Sequence, residues 1–235
     1  MAARGIARSR THASKLITDG LVTVDGIPVV KPAALVHDVQ EIVVAVTDHY
    51  VSRAAHKLIG GLDGFGVYPS GRLCLDVGAS TGGFTQVLLE RGASHVIALD
   101  VGHGQLAWSI RSDPRVVVRE RCNARHLTAA DVPDPIGALV CDTSFIGLQT
   151  VLPAPLALCA PGAWAVALIK PQFEAGRALV GSKGVVRDPA VHDAVCVRVR
   201  QWWEGLGDWT VGEIVASPIT GPEGNREFLI VANKN

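Results

Sequence analysis

Apolar and polar residues alternate along most of the chain between short strand-like runs and segments with helical spacing. From residue 73 onward, most short apolar runs are followed by residues with one apolar face at helical spacing. This alternation predicts a mostly parallel β-sheet with helices on both faces. The predicted elements are Leu73–Val77, Gly83–Arg91, His95–Asp100, Gly104–Ser112, Val116–Val118, Ile136–Cys141, Gly147–Cys159, Trp164–Ile169, Pro189–Glu204, Thr210–Ala216 and Phe228–Ala232.

The last two predicted strands have no helical segment between them. They are joined by Ser217–Asn225, so we expect an antiparallel hairpin at the end of the sheet. The fold class predicted from the pattern is therefore α/β, with a mostly parallel, seven-stranded sheet that ends in an antiparallel hairpin.

Residues 1–47 have a different character and predict a separate small domain. A basic helix over Ala7–Ile17 precedes two short strands around the Asp25-Gly26 turn, and Glu41–Val46 predicts a further strand. The pattern of Ala7, Leu16-Ile17, Gly20 and Val24-Asp-Gly resembles the S-four RNA-binding domain. A basic capping domain without a ligand is the alternative. Residues 48–60 are interpreted as a linker and residues 61–235 as the second domain.

Composition and charge narrow the functional classes. Lysine plus arginine and aspartate plus glutamate are both 22, so any affinity for nucleic acid must come from local patches. The first fifteen residues are basic and lack the apolar run of a signal peptide, which favours a cytoplasmic protein. Residues 145–169 are uncharged, but prolines and glycine interrupt them. We therefore expect a short helix and a buried strand there, and no stable membrane association.

A small-residue loop follows the first predicted strand of the second domain. Residues 74–84 read Cys-Leu-Asp-Val-Gly-Ala-Ser-Thr-Gly-Gly-Phe, and Asp100 follows the next strand. Such a loop lets the backbone approach a bound nucleotide, and an acid at the second strand end can hold its ribose. Because Ser80 replaces the second glycine of the dinucleotide fingerprint, the loop resembles that of Rossmann-type methyltransferases, which bind S-adenosylmethionine.

Polar residues also end later strands of the predicted sheet. Asp142 and Lys170 each follow an apolar run, and ligands of open α/β sheets lie beyond such strand ends. Taken separately, Asp142 could cap a helix and Lys170 could be a salt-bridged amine. Their occurrence at neighbouring strand ends, beside the glycine-rich loop, favours a role in chemistry.

Six separate motifs together resemble the TlyA family, whose members are named haemolysins but act as ribosomal RNA 2′-O-methyltransferases. They are Arg53-Ala-Ala-His-Lys57, Asp76 to Thr85, Gly104-Gln-Leu-Ala-Trp108, Asp142-Thr-Ser-Phe145, Lys170-Pro-Gln-Phe-Glu174 and Gly224-Asn-Arg-Glu227. The second domain also resembles the FtsJ-type RNA ribose methyltransferases.

The resemblance implies specific residues and a substrate. The catalytic set would be Lys57, Asp142, Lys170 and Glu227. The contacts to S-adenosyl-L-methionine would be Asp76, Gly78, Ala79, Ser80, Thr81, Gly82, Gly83, Phe84, Asp100, Val101, Asn123, Asp142 and Phe145. The target would be a cytidine ribose in ribosomal RNA or a ribosomal subunit. The late start and early stop of the chain predict large-subunit RNA only.

The chemistry of ribose methylation needs these residue types. A 2′-hydroxyl is a poor nucleophile, so catalysis consists of alignment and of easing loss of its proton. We expect Lys170 either to accept that proton or to stabilise the developing alkoxide, with Asp142 holding the amine. Lys57 and Glu227 would orient the ribose. RNA phosphates would be captured by Arg4, Arg8, Arg10, Lys15 and Arg53.

Several alternatives remain open from the sequence. A membrane-active haemolysin fits the historical family name, and an RNA-binding protein with an inactive methyltransferase fold fits the domain pattern. A dehydrogenase is less compatible with Ser80 and the final hairpin. The histidines lack the spacing of a metal site, so no metal is expected.

Overall fold

The chain forms two compact units, Met1–Tyr50 and Val51–Asn235. The structure is a computed structural model that describes residues 1–7, 9–18, 20–29, 31–44, 49–132, 134–181 and 184–235. The second unit thus begins inside the predicted linker of residues 48–60. Residues 55–60 are helical and carry Lys57, so this part of the predicted linker belongs to the second unit.

The first unit contains one α-helix and a small antiparallel sheet. Its elements are α1 (Arg10–Thr18), β1 (Val22–Val24), β2 (Ile27–Pro28) and β3 (Ile42–Val44), with strand order β2-β1-β3. The predicted turn between β1 and β2 forms because Asp25 and Gly26 both adopt positive φ, 48° and 80°. Ala13, Leu16 and Val22 pack in its small core.

Two predictions for this unit differ from the structure. The helix begins at Arg10 rather than Ala7, and Ser9 accepts a hydrogen bond at its start from the amide of His12, at 3.1 Å. The strand predicted over Glu41–Val46 is formed by Ile42–Val44, while residues 45 and 46 of that prediction lie outside the described residues.

The second unit is a seven-stranded sheet with helices on its faces, as predicted. Strands β4, β5, β6, β7 and β8 run parallel in the order β6-β5-β4-β7-β8, followed by β10 and β9. Strand β10 is antiparallel to both β8 and β9, which confirms the predicted final hairpin. The elements are α2 (Ala55–Phe65), β4 (Leu73–Val77), α3 (Gly83–Glu90), β5 (His95–Leu99), α4 (Trp108–Arg111), β6 (Val116–Arg119), β7 (Ile136–Cys141), α5 (Leu148–Val151), α6 (Pro153–Ala157), β8 (Cys159–Ile169), α7 (Pro171–Glu174), α8 (Pro189–Glu204), β9 (Trp209–Ala216) and β10 (Phe228–Lys234).

Two predicted helices are shorter than expected. Of Gly104–Ser112, only Trp108–Arg111 is helical, because Gly104 has a φ of 68° and Ala107 is extended. The single helix predicted over Gly147–Cys159 is two helices, α5 and α6. Pro153 separates them, since a proline has no amide N–H to continue the first helix.

The apolar segment 145–169 is part of the second unit and contributes to its core. Strand β8 is buried from Ala163 to Ile169 between β7 and β10, and Val151, Leu152 and Leu156 of the preceding helices are buried in the same core. Among the described residues, the structure contains no helix with the length and apolar character needed to span a membrane.

All five cysteines are free thiols. Burial raises the pKa of Cys74, Cys141 and Cys159 to about 12 each, so these thiols stay protonated and unreactive at neutral pH.

Candidate active site

The carboxyl ends of neighbouring parallel strands place the chemistry-bearing residues at one edge of the sheet. Asp142 directly follows β7 and Lys170 directly follows β8, its hydrogen-bonded neighbour. Lys57 reaches the same edge from α2, and Glu227 directly precedes β10, which pairs with β8. Residues that are far apart in sequence therefore meet because the strand order brings their elements together.

The four side chains of the predicted catalytic set are in contact. Lys170 Nζ lies 2.5 Å from Asp142 Oδ1, and Lys57 Nζ lies 3.9 Å from Asp142 Oδ2. Lys57 Nζ also donates a hydrogen bond of 2.6 Å to Glu227 Oε2. The structure thus forms a continuous chain, Glu227–Lys57–Asp142–Lys170, in which amines and carboxylates alternate.

Burial explains why the charges must be paired. Lys57, Lys170 and Glu227 are 5%, 7% and 2% exposed. An unpaired charge at such a site would be strongly destabilising, whereas two ammonium groups and two carboxylates balance each other locally. Removing one member should therefore disturb the geometry of the others.

Two residues extend this chain and were not singled out from the sequence. Ser144 Oγ accepts a hydrogen bond from Lys170 Nζ at 3.1 Å, and Gln172 Nε2 donates one to Glu227 Oε1 at 3.3 Å. Both lie inside the motifs that begin at Asp142 and Lys170, so the motifs could have indicated them as site residues. The contacts themselves depend on strand pairing.

Glu227 lies behind Lys57 and does not line either of the two cavities at this edge of the sheet. Its carboxylate is enclosed by Lys57, Gln172 and the loop at Gly221. A Cβ on Gly221 would meet Glu227 Oε1, so a larger residue at this position would displace the Glu227 carboxylate. The carboxylate of Glu227 contacts Lys57 and Gln172, and its role in orienting the ribose stays a prediction.

Two adjoining cavities open beside this chain of lysines and carboxylates. The larger, of about 620 Å³, lies beyond β4, β5 and β7, and the smaller, of about 220 Å³, is lined by Lys57, Lys170 and Arg53. Both are lined by Gly78, Ser80, Asp142 and Ser144. The reacting groups of two ligands could meet at this shared wall.

The predicted cofactor residues divide between the cavities. The larger cavity is lined by Gly78, Ser80, Asp100, Val101, Asn123, Asp142 and Phe145, together with Gln105, Arg125, Ile146 and Thr150, which the sequence reasoning missed. Ala79, Thr81, Gly83 and Phe84 line only the smaller of the two. Asp76 and Gly82 line neither of these two cavities.

Packing explains the positions of Asp76 and Gly82. A Cβ on Gly82 would lie 2.9 Å from Leu106, so this glycine permits close packing of the loop. Asp76 is fully buried, where its Oδ2 accepts a hydrogen bond of 2.6 Å from Thr85 Oγ1. Burial raises the pKa of Asp76 to about 7. The structure thus gives Asp76 no direct place in the larger cavity.

The larger cavity fits S-adenosylmethionine in size and in chemistry. Its volume lies within the range of small-molecule sites. Asp100 holds the loop, since its two carboxylate oxygens accept from the amides of Ser80 (2.8 Å) and Gly102 (2.7 Å), and each oxygen keeps a lone pair for a ribose hydroxyl.

Backbone and apolar features of the same cavity support this fit. Gly78 has a φ of 87°, and a Cβ there would lie 3.0 Å from the backbone oxygen of Asp142, so the loop passes close to the next strand end. Val101 and Phe145 are 69% and 89% exposed on its walls. A base bound in this cavity would cover apolar surface of these side chains that otherwise faces water.

The residues predicted to bind RNA have different environments. In the first unit, Arg4 donates to the carbonyl oxygens of Gln40 and His37 and contacts Asp38 at 3.3 Å, so its guanidinium holds that unit together. Arg10 is exposed. Arg8 and the side chain of Lys15 lie outside the described residues. In the second unit, Arg53 donates to the carbonyl oxygen of Thr220 at 2.6 Å and lines the smaller cavity.

Comparisons with known proteins agree with this arrangement. The FtsJ-like methyltransferase family model matches residues 50–234, and the S4 domain model matches residues 1–42. The 16S/23S rRNA (cytidine-2′-O)-methyltransferase TlyA of Mycobacterium tuberculosis is 52% identical over 230 residues, which cover 97% of this chain and 85% of that protein. The 23S rRNA (cytidine-2′-O)-methyltransferase TlyA of Campylobacter jejuni is 35% identical over 195 residues, covering 81% and 73%.

A solved structure extends the similarity to the fold. The structure of a hemolysin-named protein from Streptococcus thermophilus superimposes with a TM-score of 0.81 at 37% identity, covering 97% of this chain and 83% of that one. The family match spans most of the chain, and it coincides with the unit that carries the lysine and carboxylate chain and the cofactor-sized cavity. This chain is therefore an S-adenosylmethionine-dependent, FtsJ-like methyltransferase with an N-terminal S4 domain, and it belongs to the TlyA family.

Proposed function

We propose that this protein methylates the 2′-oxygen of a cytidine ribose in ribosomal RNA, with S-adenosylmethionine as methyl donor. The observation that carries the proposal is the shared wall between the two cavities. A cofactor in the larger cavity and a nucleotide in the smaller one would meet at Asp142 and Ser144, with Lys170 beside them. This is the arrangement that a direct transfer between two bound molecules requires.

The cofactor supplies an electrophilic methyl group on a positively charged sulfur, so the protein need not activate the donor. Lys170 Nζ binds and orients the 2′-hydroxyl oxygen, and Asp142 fixes that amine. Lys57 holds the other oxygen of Asp142, and Glu227 positions Lys57 from behind. In this proposal Lys170 is the catalytic residue that touches the reacting oxygen, and Glu227 is a positioning residue.

The charge of Lys170 decides how the hydroxyl proton leaves. Lys170 Nζ lies 2.5 Å from the carboxylate of Asp142, its ion-pair partner. As an ammonium, Lys170 would stabilise the negative charge that develops on the 2′-oxygen, and the hydroxyl proton would pass to water. The cofactor would supply the methyl group and lose its carbon–sulfur bond as the carbon–oxygen bond forms. A neutral Lys170 that takes the proton itself is the second route.

The names of the relatives support the choice of substrate. Both cited TlyA proteins are named for cytidine-2′-O-methylation and for 23S rRNA, and the more similar one is also named for 16S rRNA. We therefore propose large-subunit RNA as a substrate. That large-subunit RNA is the only substrate stays a prediction. An enzyme that modifies ribosomal RNA works in the cytoplasm, where we place this protein.

Methyl transfer to defined RNA tests this function. Purified protein and labelled S-adenosylmethionine are incubated with 23S and 16S RNA, each as free RNA and as assembled subunit, and the modified nucleosides are identified by mass spectrometry. We expect 2′-O-methylcytidine from at least the large-subunit samples. Absence of transfer to every sample, or methylation of a base instead of a ribose, would contradict the proposal.

The hemolysin names of some relatives make a membrane activity the second candidate. It predicts that the protein releases dye from lipid vesicles without any cofactor. An RNA-binding protein with an inactive methyltransferase fold predicts RNA binding without transfer. The methyl-transfer assay and a parallel vesicle-leakage assay separate the three functions.

A further inference from the structure

Ser144 lies where the two cavities meet and contacts the central amine of the site. It follows Asp142 by two residues and lines both cavities. Its hydroxyl oxygen accepts a hydrogen bond of 3.1 Å from Lys170 Nζ. The family resemblance and the catalytic set derived above leave this residue without a role.

The turn that carries Ser144 is tied to the turn that carries Lys170 by two further contacts. The rings of Phe145 and Phe173 lie 5.0 Å apart, and Glu174 Oε1 accepts a 2.7 Å hydrogen bond from the amide of Leu148. Phe145 has a φ of 66°, an unfavourable conformation for a phenylalanine. These contacts hold the strained turn in place, and the strained turn presents the Ser144 hydroxyl to the amine.

The N–H donors of Lys170 Nζ show what its contact with Ser144 can do. An ammonium group has three N–H donors. Ser144 Oγ accepts from one of them, which fixes one N–H direction of Nζ relative to the smaller cavity that Lys170 lines. Asp142 Oδ1 lies 2.5 Å from Nζ as an ion-pair partner, but it has no hydrogen-bond partner among the described residues.

Asp142 alone cannot fix that direction. Its carboxylate is shared, since Lys57 Nζ lies 3.9 Å from the oxygen that Lys170 does not contact. With one shared partner, the flexible side chain of Lys170 could rotate about the contact and still keep its ion pair. The uncharged hydroxyl of Ser144 supplies a second, independent contact without adding a charge to a balanced cluster.

We propose that Ser144 is a positioning residue for catalysis, which orients the ammonium group of Lys170 toward the 2′-oxygen of the ribose. This rests on the function proposed above. Since Ser144 acts through Lys170, its loss should lower the rate of transfer more than it lowers the binding of either ligand. A hydroxyl at this position should suffice, so threonine should replace serine while alanine should not.

Kinetics of Ser144→Ala and Ser144→Thr test the proposal. For Ser144→Ala we expect kcat to fall about tenfold, because the amine spends less time in the productive orientation. We expect KM for RNA and the dissociation constant of S-adenosylmethionine to change less than about twofold, and Ser144→Thr to recover most of kcat. Ser112→Ala is the control, because it removes an exposed serine hydroxyl that donates to the carbonyl oxygen of Trp108.

A spectroscopic measurement on the cofactor-free protein gives a readout that needs no turnover. The ¹H–¹⁵N signal of the Lys170 ammonium group, assigned by its loss in Lys170→Arg, should be visible in the wild type and broadened in Ser144→Ala. A wild-type kcat in Ser144→Ala with an unchanged ammonium signal would overturn the proposal. Equal losses of kcat and cofactor affinity in both Ser144 variants would also overturn it, since that pattern marks a structural role. A wild type that transfers no methyl group defeats the proposed function instead, and the ammonium signal still decides the role of Ser144.

Discussion

Asp76 illustrates at the scale of one residue how burial changes what a motif position does. The motif suggested a cofactor contact, but the side chain is enclosed beneath the loop, where only Oδ2 has a partner among the described residues. Burial raises its pKa from 3.8 to about 7. The folded protein therefore binds this proton more tightly than the unfolded chain does. The stabilising contribution is complete below about pH 4 and is lost as the pH rises through about 7.

Replacing Asp76 with asparagine should remove this pH dependence. Asparagine keeps an acceptor for Thr85 but does not ionise. Between pH 5 and pH 8, the free energy of unfolding of Asp76→Asn relative to wild type should rise by about 3 kcal/mol. Urea unfolding at several pH values measures it, with exposed Asp193→Asn as the control. A constant difference between wild type and Asp76→Asn across this range would show that Asp76 is ionised in the folded protein throughout.

Gly78 is constrained by both its backbone and its surroundings. At a φ of 87° an alanine is strained, and its Cβ would lie 3.0 Å from the Asp142 backbone oxygen. Gly78→Ala should lower the free energy of unfolding by about 1–2 kcal/mol and weaken cofactor binding about tenfold, because the cavity wall must move. Calorimetric titration and urea unfolding measure both effects.

Gly64 provides the matched control for Gly78→Ala. It lies in α2, and a Cβ there would contact nothing within 4 Å. Gly64→Ala should raise stability by about 0.5–1 kcal/mol, as expected for a helix interior, and leave cofactor affinity unchanged. Equal changes of stability and of cofactor affinity in Gly78→Ala and Gly64→Ala would contradict the claim that the backbone and surroundings of Gly78 require a glycine.

At the scale of elements, the site depends on how the segments after β7 and β8 hold each other. Glu174, at the end of α7, accepts from the amide of Leu148 at the start of α5, and burial raises the pKa of Glu174. The start of α5 lies close to the turn of Ser144 and Phe145. A change in Glu174 should therefore affect both the stability of α5 and the position of the turn that carries Ser144.

Glu174→Ala should lower the free energy of unfolding by about 1–2 kcal/mol, since the helix loses the acceptor at its start. It should also lower kcat, whereas Glu174→Gln keeps the acceptor and should recover most of both. Urea unfolding and methyl-transfer kinetics measure this, with Glu204→Ala, at an exposed residue that ends α8, as the control. A glutamine variant as impaired as the alanine variant would refute the hydrogen-bonding role.

The apolar pattern predicted the bounds of elements well where no glycine or proline altered the backbone. Strands β4 and β7 and helix α8 have the bounds that the apolar pattern indicated. The helix predicted from Gly104 begins only at Trp108, because positive φ at Gly104 is a backbone conformation that apolar spacing does not report. The helix predicted from Gly147 was divided at Pro153, where proline chemistry overrides the spacing.

At the scale of the whole molecule, the site is an outcome of long-range pairing. Lys57 and Glu227 are 170 positions apart yet share a 2.6 Å hydrogen bond. The predicted strand ends indicated Asp142 and Lys170 as candidates for the chemistry. The resemblance to the family motifs added Lys57 and Glu227. The contacts of Ser144 and Gln172 could not be predicted, since they depend on the order of strands in the sheet and on side-chain directions at its edge.

Equal numbers of basic and acidic residues make RNA binding a local property. Arg53 lines the smaller cavity, so a phosphate of the target RNA could reach it. Arg53→Ala should weaken RNA binding and reduce the slope of log affinity against log salt by about one, because one phosphate contact is lost. Filter binding of ribosomal RNA at several salt concentrations measures this slope.

Two variants control for the structural bond of Arg53 to Thr220. Arg53→Lys keeps the positive charge and should keep the slope of log affinity against log salt. Arg200→Ala removes an arginine that is paired with Glu204 at 3.7 Å, and it should change neither the RNA affinity nor this slope. An unchanged slope in Arg53→Ala would exclude this residue from the RNA contact.

The most direct test of the account compares methyl transfer and cofactor binding in Lys170→Ala. Single-turnover transfer to ribosomal RNA and calorimetric titration of S-adenosylmethionine are measured on the same preparation. The account predicts that transfer falls at least about a hundredfold, while the dissociation constant of the cofactor changes less than about threefold. Transfer at the wild-type rate in a folded Lys170→Ala protein would contradict the claim that this amine, at the meeting point of the two cavities, performs the catalysis.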